Sequence, residues 1–110
     1  MRISFRDERL QRECNKLGLL QKRHGPVRAK RLLQRLEDLA SAEALEDMRH
    51  APGRCHELHG DDAGHLSLDL DHPYRLVFCP STDQARKPDG GVDWGQVKAV
   101  DIIGVKDTHE

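Results

Sequence analysis

The chain has 110 residues, which reads as one domain spanning residues 1–110 with room for a single ordinary core. Charged residues make up 34% and aromatics 4%, so the core must come mainly from Leu, Val and Ile, and no apolar run approaches the roughly 20 residues of a membrane span. The net charge of -1 hides a split: residues 1–35 carry eleven Lys/Arg and three acids, the remainder seven and sixteen. Such a split points either to a surface for a polyanion or acidic partner, or to two halves that pair with each other.

Cys14, Cys55 and Cys79 are odd in number, far apart and form no CxxC, so free thiols in a reducing compartment are expected rather than a disulfide framework or zinc site. The N-terminal MRISFRDERL has no apolar core of the kind that directs secretion, and a cytoplasmic protein is expected.

In chain order, Met1–Arg6 alternates Ile3 and Phe5 with polar residues and predicts a short strand. Asp7 suits a helix N-cap, and Leu10, Cys14 and Leu17 at i, i+4, i+7 form one apolar stripe, with Gly18 placed to end that helix. His24-Gly25-Pro26 is a break, with Pro26 fitted to the first turn of the next helix. Residues 27–40 form the strongest helical pattern, with Leu32, Leu36, Leu39 and Ala40 inward and Arg28, Lys30, Arg31 and Arg35 mostly on other faces. Ser41 can cap a third short helix with Ala44, Leu45 and Met48 inward.

Ala51-Pro52-Gly53 divides the helical half from a sheet half. Residues 54–59 predict a strand, and Asp61–Gly64 a turn or loop. Leu66, Leu68 and Leu70 alternate with Ser67 and Asp69; Asp71-His72-Pro73 is turn chemistry. The strand that follows, Tyr74 to Cys79, is apolar on both sides except at Arg75, which predicts a central position in the sheet. An Arg there must be paired, reach solvent or face an anion. Ser81–Gly91 is a turn-rich polar loop, Trp94 should pack its end against the body, and residues 98–105 form the last strand.

His56-Glu57-Leu58-His59 is not HExxH, and on a strand the two histidines would face opposite ways. With Asp61, Asp62 and His65 it reads as surface loop chemistry, and no metal site is expected. Asp69 and Asp71 lie two apart and read as a solvated strand face or a carboxylate pair. The sequence contains no Gly-rich phosphate loop and no GxSxG.

Leu58, Gly60-Asp61, Gly64, Leu66–Leu70, Tyr74-Arg75, Phe78, Val100–Val105 and Asp107-Thr108-His109 follow the pattern of a known family. Together with the helix-rich segment before them they resemble the RelE/ParE superfamily of toxins, nearest its HigB-type plasmid maintenance killer branch. The resemblance implies an α+β, RelE-like fold, with an N-terminal strand and two to three helices packed on one face of a small, mostly antiparallel sheet. It implies a toxin that cuts mRNA in the ribosomal A site without metal or other cofactor, held inactive by a helix-turn-helix, HigA-like antitoxin in a hetero-oligomer. Arg75 would hold the scissile phosphate, His109 would be the acid or base, and Asp107 would position it. Arg28, Lys30, Arg31 and Arg35 would grip RNA phosphates, with His59 and His65 adding to that surface.

Thr108 stands where the family commonly has Tyr, Asp62 where it usually has Arg, His59 often where it has Lys, and Asp69 where many members carry Arg. These departures make the RNA-facing side less positive. Two alternatives therefore accompany the nuclease: a catalytically weak protein that binds an antitoxin, and a ParE-like topoisomerase inhibitor.

Overall fold

The computed structural model describes residues 1–82 and 86–107. The elements run β1 (Arg2–Phe5), α1 (Glu8–Cys14), α2 (Leu17–Ser41), β2 (His56–Glu57), β3 (Leu66–Asp69), β4 (Tyr74–Pro80) and β5 (Ala99–Asp107), with short 3-10 turns at Leu45–Arg49, Gly60–Asp62 and Trp94–Gln96. The five strands form one sheet in the order β1-β5-β4-β3-β2. The β1–β5 pair is parallel and the other three are antiparallel. This is the expected α+β, RelE-like architecture, with β4 central as its apolar pattern requires.

Alternation along the strands divides the sheet into two faces. Leu66, Leu68, Leu70, Leu76, Phe78, Val100 and Ile102 join Leu20, Ala29, Leu32 and Leu39 of α2 in one core. Ser67, Asp69, Arg75, Val77, Cys79 and Asp101 alternate with them and point to the other face. A register shift between Val77 and Phe78 pairs them with Gly104 and Ile102, so Ile103 is an extra residue in β5.

The helices depart from the sequence pattern where local breaks intervene. The Asp7 side chain caps α1 by accepting from the Leu10 N–H at 3.0 Å. α1 ends at Cys14, and α2 begins after Lys16. The i+7 spacing from Leu10 is lost across that break, so Leu17 is 52% exposed rather than part of the stripe. Gly18 lies in the first turn of α2 instead of ending α1. The expected break falls inside α2: Gly25 takes φ 79°, ψ 162°, and Pro26 follows without an N–H to donate. Beyond it Leu32 and Leu39 are buried, Leu36 is half-buried, and Ala40 is exposed. Ser41 closes α2 rather than capping a third helix; Leu45 and Met48 are buried in a 3-10 turn.

The strand expected over 54–59 contracts to His56–Glu57. Gly53 (φ 108°) and Arg54 (φ 52°) are both left-handed, which turns the chain before it can extend. Glu57 anchors the later loop: its carboxylate accepts from the Val92 N–H and from Trp94 Nε1, both at 3.1 Å. Trp94 is buried, as expected, with the Arg49 guanidinium 4.0 Å above its ring.

The β3–β4 hairpin is bound to α2 by arginines. Arg28 donates to both oxygens of Asp71, at 2.8 and 3.1 Å, and stacks 3.6 Å from the Tyr74 ring centroid. Arg31 donates to the Leu70 carbonyl at 3.0 Å and Arg35 to the Asp69 carbonyl at 2.9 Å. Hydrogen bonding from Arg28 holds the Asp71 carboxyl below its ordinary range. A depressed carboxylate stabilises the fold fully above its unfolded value, about 3.9, and that contribution is lost as pH falls through the lower folded value. Thermal melting at pH 5 and pH 3 checks this: Asp71→Asn should melt lower than wild type at pH 5 and narrow the gap at pH 3. A gap of equal size at both values would mean that Asp71 contributes nothing through its charge.

Candidate functional site

The face of the sheet away from the helices carries the concentrated polar chemistry. Its first group lies at the Arg75 end of β4. Arg75 opposes Asp69 on β3 and Lys106 on β5. Its Nε lies 3.2 Å from Asp69 Oδ1, and its side chain is 11% exposed. Arg54 grips the same carboxylate, with Nε 3.0 Å from Oδ2 and Nη2 3.3 Å from Oδ1. Two guanidiniums thus share one carboxylate, with the Lys106 ammonium in the adjoining register position. Arg54, Asp69, His72, Tyr74 and Arg75 line a small polar cleft of about 110 Å³.

Toward β2, His56 opposes Ser67, and Ser67 opposes Val77. His56 Nδ1 lies 2.9 Å from the Arg54 carbonyl; a proton on Nδ1 makes that contact a hydrogen bond and leaves Nε2 as an acceptor. His56 Nε2 and Ser67 Oγ are buried and, among the described residues, have no hydrogen-bond partner. Nothing in the local sequence marks this pair, because it is made by strand register across eleven residues.

The sites expected from sequence fall as follows. Arg75 is on the open face and joined to Asp69. Asp107 ends β5 exposed and opposes Tyr74, one register position from the Arg75–Lys106 pair. His109, like Thr108, lies outside the described residues. His59 and His65 flank the 3-10 turn before β3, and His65 lines a second cleft on the open face. Arg28, Arg31 and Arg35 converge on the β3–β4 hairpin, while Lys30 projects from α2 beside Leu33, Gln34 and Glu37. Asp69 and Asp71 are neither a solvated face nor a carboxylate pair: each is taken up by arginine. Arg54 was not singled out from sequence, although the Arg after Pro52-Gly53 sits where a turn would swing it onto the strand end.

The cysteines are quiet. None of the three is in a disulfide. Burial pushes the Cys14 thiol up to about 11 and the Cys55 thiol up to about 12, which keeps both protonated at neutral pH. Among the described residues, no three His, Cys, Asp or Glu side chains come together as a metal site, and no helix is long and apolar enough to cross a membrane.

No family model matches the sequence, and no curated protein matches it. A solved structure does: a YoeB/ParE toxin from Agrobacterium tumefaciens, with 15% identity and a TM-score of 0.53 over 99% of this chain and all of the other. At that identity the likeness speaks for the fold. The chain has the α+β fold of the RelE/YoeB-like toxins, end to end.

Proposed function

We propose that this chain is the toxin of a type II toxin–antitoxin pair and acts as a ribosome-dependent mRNA endoribonuclease. The observation that carries the reading is Arg75: a nearly buried guanidinium on the central strand, facing away from the helices, with Arg54 and Lys106 beside it, on the fold of a YoeB/ParE toxin. The chemistry is cleavage by the RNA's own 2′-OH, which attacks the adjacent phosphate. Arg75 stabilises the charge that develops on the phosphate oxygens, because a planar guanidinium matches them bidentately. His109 exchanges the proton, as an imidazole suits near neutrality, and Asp107 positions it. His59, His65 and Lys30 extend the RNA-facing surface; Arg28, Arg31 and Arg35 contribute through whatever donors their hairpin bonds leave to phosphate. The partner is a HigA-like helix-turn-helix antitoxin in the cytoplasm, and the branch is HigB-like.

A second reading is favoured by one observation. Asp69 stands between Arg54 and Arg75 and offsets their charge, which weakens the face for RNA. On this reading the chain is a catalytically weak protein that retains antitoxin binding. Inducible expression of wild type and His109→Gln in a bacterial host, with mRNA 5′ ends mapped on ribosomes, separates the two. New A-site cuts with growth arrest, both lost in the variant, are expected for the nuclease. Arrest without cuts would move the target to a topoisomerase, and soluble protein with neither would leave the antitoxin-binding reading.

A further inference from the structure

The Arg75 cleft holds an anion of the chain's own. Asp69 Oδ1 lies 3.2 Å from Arg75 Nε and 3.3 Å from Arg54 Nη2, and Asp69 Oδ2 lies 3.0 Å from Arg54 Nε. A carboxylate and a phosphodiester ask the same of a guanidinium: two oxygens set against its N–H donors. The Arg75 side chain is 11% exposed, so an RNA phosphate that reaches its Nε must take the place of the carboxylate beside it.

The surroundings settle how that carboxylate can leave. The Asp69 backbone is pinned: its N–H donates to the Gly53 carbonyl at 2.7 Å, its carbonyl accepts from Arg35 Nε at 2.9 Å, and it faces Arg75 in the β3–β4 ladder. Only rotation of the side chain is left. Asp69 is 35% exposed and Arg54 is 59% exposed, so the outer guanidinium is the one on the solvent side of the pair. Arg54 holds both carboxylate oxygens and keeps the displaced anion paired while Arg75 turns to phosphate. Arg54 also takes a left-handed φ of 52°, a conformation that a residue with a Cβ seldom adopts and that persists where it aims a side chain at a site. On the other side of Arg75 the register neighbour is Lys106, a cation that supplies no rival anion.

We infer that Asp69 is a specificity-determining residue, the one that makes cleavage depend on the ribosome. It competes with phosphate for Arg75. Free RNA offers its phosphates only at bulk concentration and displaces the carboxylate poorly. An mRNA held on the same ribosome as the toxin presents its phosphate at a far higher effective concentration and displaces it. Arg54 is the positioning residue that receives Asp69 as the phosphate arrives. Neither residue makes or breaks a bond of the RNA. This rests on the nuclease reading given above and adds what sets its choice of substrate.

The test compares wild type with Asp69→Asn, which keeps the shape and an oxygen acceptor and drops the charge, on ribosome-bound mRNA and on a free fluorescein-labelled single-stranded RNA. Asp69→Asn should bind the free RNA about tenfold more tightly, the scale of one charge-assisted hydrogen bond released to phosphate. Its salt slope should be steeper by about 0.7, one phosphate contact. The ratio of kcat/KM on free RNA to that on ribosome-bound mRNA should rise about tenfold as well, mainly through KM. Asp69→Glu restores the charge and should bring the ratio back toward wild type. Equal melting temperatures check that the variants fold. Arg54→Gln reads the same device from the other side: with no receiver for the carboxylate, KM on ribosome-bound mRNA should rise while kcat holds, and adding Asp69→Asn should remove that rise. If wild type cuts ribosome-bound mRNA and Asp69→Asn neither binds nor cuts free RNA better than wild type does, the filter is wrong and the nuclease stands. Wild type cutting both substrates equally well would also overturn the filter. If neither protein cuts either substrate, the nuclease reading fails and the filter with it, whatever the binding shows.

Discussion

Arg75→Ala should lower cleavage of ribosome-bound mRNA by about 100- to 1000-fold, the scale on which removal of one preorganised donor to a developing oxyanion acts. The loss should fall mainly on kcat, because the contact strengthens as charge builds on the phosphate. Structure argues that the variant folds. Asp69 keeps its two bonds to Arg54 when Arg75 is removed, so that carboxylate is not stranded. The stability cost should then fall in the ordinary range for a point change, about 0.5–3 kcal/mol. Arg75→Lys should recover little, since an ammonium cannot reproduce the planar fork. A variant that arrests growth and cuts mRNA as wild type does would remove Arg75 from the mechanism.

Phe78→Ala should destabilise the fold by about 3–5 kcal/mol, the range for deleting a buried aromatic ring. Phe78 is fully buried on the central strand, between Leu66 of β3 and Ile102 of β5. The residues opposite it, Leu66 and Ile102, are themselves buried, so the space left by the ring is enclosed. The register shift between Val77 and Phe78 also fixes the backbone there, which limits collapse of the cavity. Against a total stability of about 5–15 kcal/mol for an ordinary domain, the variant should be partly unfolded at 37 °C. Urea denaturation followed by circular dichroism measures the loss. A shift below 1 kcal/mol would show that the core repacks around the site.

Much of the architecture was legible before any coordinates. The alternation of Leu66, Leu68 and Leu70, and the apolar run around Arg75, marked the hairpin and the central strand because strand periodicity reports burial directly. The Gly25-Pro26 break was visible for a similar reason: both residues constrain the backbone by themselves. The stripe through Leu17 failed because a two-residue interruption at Asn15-Lys16 resets helical phase, and composition does not reveal it.

The candidate site was less legible. Arg75 was singled out, and its partner could not be: Asp69 looked like a solvated or paired carboxylate until strand register set it opposite Arg75. The helix arginines Arg28, Arg31 and Arg35 looked like a phosphate-gripping face. Their long stems instead carry the guanidiniums to Asp71 and to the Leu70 and Asp69 carbonyls, where backbone acceptors at a hairpin end need donors. The opposing charges of the two halves do, in part, pair across the fold.

By itself the sequence determined most of the elements and the central place of β4, since those follow from the spacing of apolar residues along the chain. The tertiary structure decided which charges meet. Arg54 and Arg75 stand 21 residues apart in sequence and share the Asp69 carboxylate only because the turn at Gly53 brings Arg54 to the end of β3 while strand register sets Asp69 opposite Arg75. Charge has no period that encodes its partner, so its pairing is settled only when strand order and register bring distant residues to one face.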